Sequence, residues 1–251
     1  MREVIEEFLS EYRNQDYFLG AILTGSCVTG NNTASSDIDI YIVTKDDTSW
    51  RERGNKKIGD YLIEYFINPK RKIISYFEEE RKSLSMSTTN IFVNSEILYD
   101  KDGSVQELID MAKKSRDTVE MVDVDEFKYK SNCYSVWDGF DELQDKYNSN
   151  EDIDFSYYLF LQRIIGSYFY NKKIPTLPLN KIEKILMNEE YFKRYNIVKM
   201  PDRDFCALLV SCFKEKERDK RFDNAKKLYA YFLSQFSDFD IGNYSLRSEA
   251  K

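Results

Sequence analysis

Apolar residues alternate one by one only up to about residue 120; beyond it they recur every three or four positions. A period of two belongs to a strand with an inner and an outer face, and a period near 3.6 to a helix with one apolar stripe. Strand patterns first and helical patterns second imply an α+β chain of two units. Residues 1–15 open with helical spacing at Val4, Ile5, Phe8, Leu9 and Tyr12. Tyr17–Leu23 reads as a strand ending at Thr24-Gly25. Ile38, Ile40 and Ile42 alternate with Asp37, Asp39, Tyr41 and Val43, a second strand with one face buried. Residues 45–55 are polar and turn-like, and Tyr61–Ile67 alternates again before Pro69. Ile73–Leu84 is helical, Ile91–Tyr99 extended, and Asp100-Lys101-Asp102-Gly103 marks a turn before a helical Ser104–Ala112.

Long amphipathic stretches follow at 125–147, 155–171, 179–187, 202–216 and 222–236, with Pro175, Pro178 and Pro201 at their joints. The expected architecture is a small mixed β-sheet domain flanked by helices over residues 1–120, then an α-helical bundle over 121–251. The last dozen residues are polar and expected to fray.

Composition removes whole mechanisms. The chain contains no histidine, so Ser-His-Asp hydrolysis, Cys-His catalysis and imidazole proton shuttles do not apply. Proton transfer must use Asp, Glu, Lys, Tyr or water. Net charge is −7, which disfavours a large nucleic-acid partner. The four cysteines lack paired Cys-x-x-Cys spacing and read as reduced thiols. Acids stand where a leader's apolar core would, and no run approaches the length of a membrane span. A cytoplasmic location without membrane attachment is the expectation.

The segment Gly25-Ser-Cys-Val-Thr-Gly-Asn-Asn-Thr-Ala-Ser-Ser-Asp-Ile-Asp39 carries the chemistry. On a strand, Asp37 and Asp39 leave the same face. Two anionic oxygens side by side are costly unless a cation lies between them, and Mg²⁺ is the usual hard cation for carboxylates near phosphates. Glu64 shares a face with Leu62 and Phe66, where a carboxylate is costly unless paired with a cation. Other motifs fail. Gly25 and Gly30 have the glycine spacing of a P-loop, but Asn31-Asn32 stands where Lys-Ser/Thr is required. Asp37-x-Asp39 could begin a calcium loop, but Tyr41 replaces its third oxygen donor. Cys27 reads as a small buried thiol rather than a nucleophile.

Gly25-Ser26, a spacer with Ser35-Ser36, Asp37-x-Asp39 and a further strand bearing Glu64 together resemble the nucleotidyltransferases of the DNA polymerase β-like superfamily. The resemblance covers roughly residues 18–103, and Asn90–Gly103 looks like the strand and turn that close this domain in small-molecule members. It implies that Gly25 lets backbone approach phosphate and that Ser26 and Ser36 help hold the nucleotide. Asp37, Asp39 and Glu64 would bind two Mg²⁺ ions, with Glu64 as metal ligand, as proton acceptor, or as both. Arg163, Lys172 and Lys173 are candidate phosphate contacts from the helical half, of which Arg163 and Lys173 are carried forward as nucleotide-binding residues. Asp138, Asp141, Glu142 and Asp154 could attract a polyamine-like or aminoglycoside substrate, or be ordinary surface acids.

The implied reaction moves a nucleoside monophosphate, expected to be AMP from ATP, to a hydroxyl of a small molecule and releases pyrophosphate. Members of this layout modify aminoglycosides or lincosamides, which makes an antibiotic a reasonable acceptor. Nucleotidylation of a protein or a tRNA end stands as one alternative, and a regulatory module that binds nucleotide without turnover as another.

Overall fold

The computed structural model describes residues 1–33, 36–118, 123–194 and 201–247. Two compact units emerge, Met1–Val119 with Glu190–Val198, and Glu120–Glu189 with Lys199–Lys251. A single cut at residue 120 falls among residues 119–122, outside the described set; the units also differ from it in grouping Glu190–Val198 with the first.

In the first unit α1 (Arg2–Ser10), β1 (Phe18–Thr24), α2 (Ser26–Thr29), β2 (Ile38–Thr44), β3 (Glu52–Ile58), β4 (Tyr61–Pro69), α3 (Lys70–Ser83), α4 (Ser87–Val93), β5 (Glu96–Asp100) and α5 (Ser104–Asp117) follow in order. The sheet is mixed, ordered β3-β4-β2-β1-β5. β2 and β4 run parallel, and every other neighbour pair is antiparallel. One face packs Phe8 and Leu9 of α1 against Phe18, Ala21, Leu23, Ile38, Ile40, Ile42, Ile63 and Ile67. The opposite face packs Ile22, Tyr41 and Val43 against Ile73, Phe77, Phe92, Val105 and Leu108. β2 is therefore covered on both faces, not on one as its alternation suggested: Tyr41 and Val43 are as enclosed as the isoleucines. A central strand between two helical layers has no solvent face, which flattens the polarity contrast a half-exposed strand shows.

Two further local expectations change. Residues 52–58, within and just beyond the stretch read as turn-like, form edge strand β3, joined to β4 by Gly59-Asp60 with Ile58 opposite Tyr61. Gly59 takes φ +58°, the left-handed conformation such a two-residue hairpin asks for. Residues 87–93 are helix, which replaces the extended reading at 91–93. The cause is tertiary: the enclosed Glu80 carboxylate accepts from the backbone N–H groups of Thr88 (2.6 Å) and Thr89 (2.9 Å) and from the Thr89 hydroxyl (3.0 Å). Those bonds satisfy the orphan donors of α4's first turn. At the expected turn, Asp100 accepts from the N–H groups of Gly103 (3.0 Å) and Gln106 (3.0 Å) and starts α5.

The second unit is helical: α6 (Glu126–Asn148), α7 (Asp154–Asn171), α8 (Leu179–Met187), α10 (Arg203–Lys214) and α11 (Arg218–Gln235), with a 3₁₀ turn at Ile241–Asn243. A further helix, α9 (Glu189–Arg194), begins at the border between the two groupings. Asp125 and Asp202 cap α6 and α10, as side-chain oxygens at N-caps do. The core is aromatic, with Tyr168 stacked on Phe205 at 3.8 Å and Phe140 on Tyr229 at 4.2 Å. α11 starts four residues before the expected Phe222, and its first turn is not wholly solvated. Arg221 is buried, pairs with Asp154 and lies 4.3 Å above the Tyr157 ring. Among the described residues no helix is long and apolar enough to cross a membrane.

Candidate active site

The site lies where three neighbouring strands meet. β1 delivers Thr24 and then Gly25; Asp37 immediately precedes β2, and Asp39 lies inside it; β4 carries Glu64. Register brings the acids together, because Thr24 pairs with Asp39 and Asp39 pairs with Glu64. Directly paired residues leave the same sheet face. One carboxylate oxygen from each of Asp37, Asp39 and Glu64 lies within 4.8 Å of the others, and all three residues are half-buried.

Gly25 sets how closely the turn after β1 approaches this cluster. Its φ of +72° and ψ of −151° lie in a region that is essentially glycine's alone. A Cβ there would stand 1.9 Å from Asp39 Oδ2, so the missing side chain is the space the Asp39 carboxylate occupies. Ser26 opens the single turn of α2, which the Thr29 N–H closes onto the Gly25 carbonyl at 3.2 Å. Cys27 donates its thiol to the Asp37 backbone carbonyl at 3.5 Å, tying α2 to the start of β2. Burial first, then the nearby Asp39 and Asp37 charges, push that thiol's pKa up, so Cys27 is a poor nucleophile here.

The cation that Glu64 needs is Arg53, from β3. Its Nη2 lies 2.5 Å and its Nε 3.1 Å from Glu64 Oε1, and its guanidinium rests 4.8 Å above the Phe66 ring. Sequence reasoning missed Arg53 because residues 45–55 looked turn-like. The usable signal was Gly59-Asp60, a hairpin dipeptide whose preceding strand would set Arg53 opposite Phe66.

The remaining expected residues are placed as follows. Ser36 accepts from the Thr33 N–H at 2.8 Å and so closes the spacer loop before Asp37; Ser35 lies outside the described residues. Arg163 belongs to the second unit and is committed to Asp138 at 2.8 Å, its side chain packed over Gly139. Lys173 follows α7 with φ +55°, and Lys172 donates to Gln235 at 2.9 Å. Of the acids considered for a cationic substrate, Asp138 and Asp154 are held by Arg163 and Arg221, and Glu142 lies 4.0 Å from Lys146.

The triad suits a hard divalent cation. All donors are carboxylate oxygens, and octahedral Mg²⁺ at ~2.1 Å per ligand spans about 4.2 Å between opposite oxygens. Three oxygens within 4.8 Å of one another are near that scale. Formal charge agrees: three gathered carboxylates carry a surplus of negative charge that a divalent cation offsets.

A mixed sheet whose central strands gather three carboxylates beside a Gly-Ser turn has the make-up of a nucleotidyl-transfer domain. Residues 1–95 match the model of the nucleotidyltransferase domain family, the likeness that Gly25-Ser26 and Asp37-x-Asp39 lead one to expect. A Methanocaldococcus jannaschii protein provisionally named a protein adenylyltransferase is 23% identical over 134 residues, covering 51% of this chain and 91% of that protein. The crystal structure of a nucleotidyltransferase-like protein from Exiguobacterium sibiricum superposes with a TM-score of 0.50 at 9% identity, covering 94% of this chain and 75% of the other. At that identity the likeness is one of fold.

Proposed function

We propose that the protein transfers a nucleoside monophosphate, AMP from ATP, to a hydroxyl group and releases pyrophosphate, with Mg²⁺ bound between Asp37, Asp39 and Glu64. The observation that carries this reading is the 4.8 Å convergence of three carboxylate oxygens inside a domain of the nucleotidyltransferase family. When bound, divalent ions neutralise phosphate charge and stabilise the entering and leaving oxygens of an in-line displacement. Asp37 and Asp39 are fixed ligands, one at the entry of a buried strand and one inside it. The bare backbone at Gly25 makes room for the Asp39 carboxylate, and the Ser26 hydroxyl donates to the phosphate chain. In the reaction the acceptor oxygen bonds to the α-phosphorus. The bond from that phosphorus to the bridging oxygen breaks, and pyrophosphate leaves with the electron pair. Glu64 accepts the acceptor's proton, since the chain has no histidine to do so.

Residues 121–251 would recognise the acceptor. The layout of the chain supports a small-molecule hydroxyl, an aminoglycoside-like antibiotic being one such acceptor. A protein hydroxyl is the second reading, favoured by the name of the Methanocaldococcus relative. Incubation of the protein with Mg²⁺, ATP labelled at the α-phosphate and cell lysate separates the two: label in protease-sensitive material favours a protein, and label in small solutes a metabolite or drug. Asp39→Asn should lower pyrophosphate release by roughly a hundredfold or more, since one charged ligand is lost where charge develops. Release at the wild-type rate in that variant would overturn the assignment.

A further inference from the structure

Arg53 has no part in the transfer described above, yet it holds the third carboxylate. Both of its contacting nitrogens, Nε at 3.1 Å and Nη2 at 2.5 Å, go to the same oxygen, Glu64 Oε1. The pairing is asymmetric in burial: the Arg53 side chain is 69% exposed and that of Glu64 21%. The guanidinium lies on Phe66, directly across the β3–β4 ladder from Arg53, while Glu64 is the diagonal neighbour. β3 is the outermost strand of the sheet. Arg53 is thus a long cation on an edge, resting on an aromatic ring, with open solvent to swing into. The carboxylate it holds is one of three whose oxygens converge.

Resting on the reading that the triad binds a divalent cation, we infer that Arg53 couples cation binding to nucleotide binding. Without nucleotide, the guanidinium neutralises Glu64 and competes with a bare cation for it. A cation arriving with a triphosphate brings negative oxygens of its own. Arg53 exchanges Glu64 for these, since a guanidinium fork matches phosphate as well as it matches carboxylate. The pair is open to exchange from the Arg53 side, whose side chain is 69% exposed, because ion pairs that water reaches hold only weakly. By reciprocity, a residue that opposes the bare ion and favours the ion–nucleotide complex makes each ligand tighten the other. The domain then loads cation and nucleotide together.

The test is Mn²⁺ binding, followed by the electron paramagnetic resonance signal of the unbound ion, with and without an α,β-methylene analogue of ATP. It compares the wild type with Arg53→Gln, Arg53→Lys and Asp39→Asn. In Arg53→Gln the bare ion should bind about two- to fivefold tighter, the fold-change equivalent to the exposed pair. The tightening of Mn²⁺ produced by the analogue should shrink by a comparable factor, and Arg53→Lys should fall between. A merely structural Arg53 would leave that ratio unmoved. Bare-ion affinity in Arg53→Gln that is unchanged or weaker, while Asp39→Asn loses the ion, overturns the role given to Arg53 and leaves the triad standing. Wild-type Mn²⁺ binding in Asp39→Asn shows instead that the ion sits elsewhere and removes the premise.

Discussion

At Gly25 a single hydrogen atom separates an assembled site from a blocked one. Gly25→Ala would drive a methyl group into the Asp39 carboxylate and force a side chain into a glycine-only backbone region. The variant should stay folded, at a cost of about 1–3 kcal/mol, and lose Mn²⁺ binding; titration of the ion alongside a urea unfolding curve separates the two effects. Much of the site was legible at this scale. The i, i+2 spacing of Asp37 and Asp39 requires one face, and Glu64 stood out as an acid between Leu62 and Phe66. Arg53 was not legible, because its meaning depends on a diagonal across a hairpin and nothing in its own neighbourhood marks it. Arg163 illustrates the converse: a lone arginine on an apolar helix reads as a phosphate contact, and the structure gives it Asp138, a partner 25 residues away in sequence.

Among the elements, capping carboxylates set boundaries that periodicity leaves open. Glu80 starts α4 from the far end of α3, a contact invisible to any local window, so residues 91–93 read as extended. The stretch expected from residue 202 does begin a helix, but the tasks of Asp202 itself were not legible: besides the Phe205 N–H at 3.0 Å it accepts from the hydroxyls of Tyr168 and Tyr231. Burial alone would raise the Asp202 carboxyl; the bonds from Phe205, Tyr168 and Tyr231 outweigh it and hold the pKa below the usual value. A carboxyl lowered on folding stabilises above its unfolded pKa of about 3.9, and that contribution fades as pH falls through the folded value. Asp202→Ala should therefore cost about 1–2 kcal/mol at pH 7, from a lost cap and a stranded Tyr168 hydroxyl. The difference from wild type should narrow below about pH 3. Urea unfolding followed by far-ultraviolet circular dichroism at both pH values checks this; an equal gap at both would contradict it.

Across the whole molecule, the order of patterns along the chain was sufficient to give an α+β protein with a helical second part, because strand and helix periodicities separate near residue 120. What it could not give was the grouping of Glu190–Val198 with the first unit, which no local periodicity marks. Each unit carries one of the chain's two tryptophans, Trp50 in the first and Trp137 in the second. They make separate reporters of unfolding once the other is replaced by phenylalanine. Mg²⁺ with a non-hydrolysable ATP analogue at a hundred times its dissociation constant should stabilise the unit reported by Trp50 by about 2.7 kcal/mol. The transition reported by Trp137 should move less, and equal shifts would place part of the nucleotide site in the helical unit. The parallel pairing of β2 with β4 has a consequence of its own. β4 reaches its place only after the chain has passed through β3, so Asp39 and Glu64 become neighbours by long-range closure of the sheet's one parallel seam. Mutual repulsion of the acids opposes that closure. A nascent or partly unravelled chain with the seam still open thus has no gathered carboxylates for an ion to find.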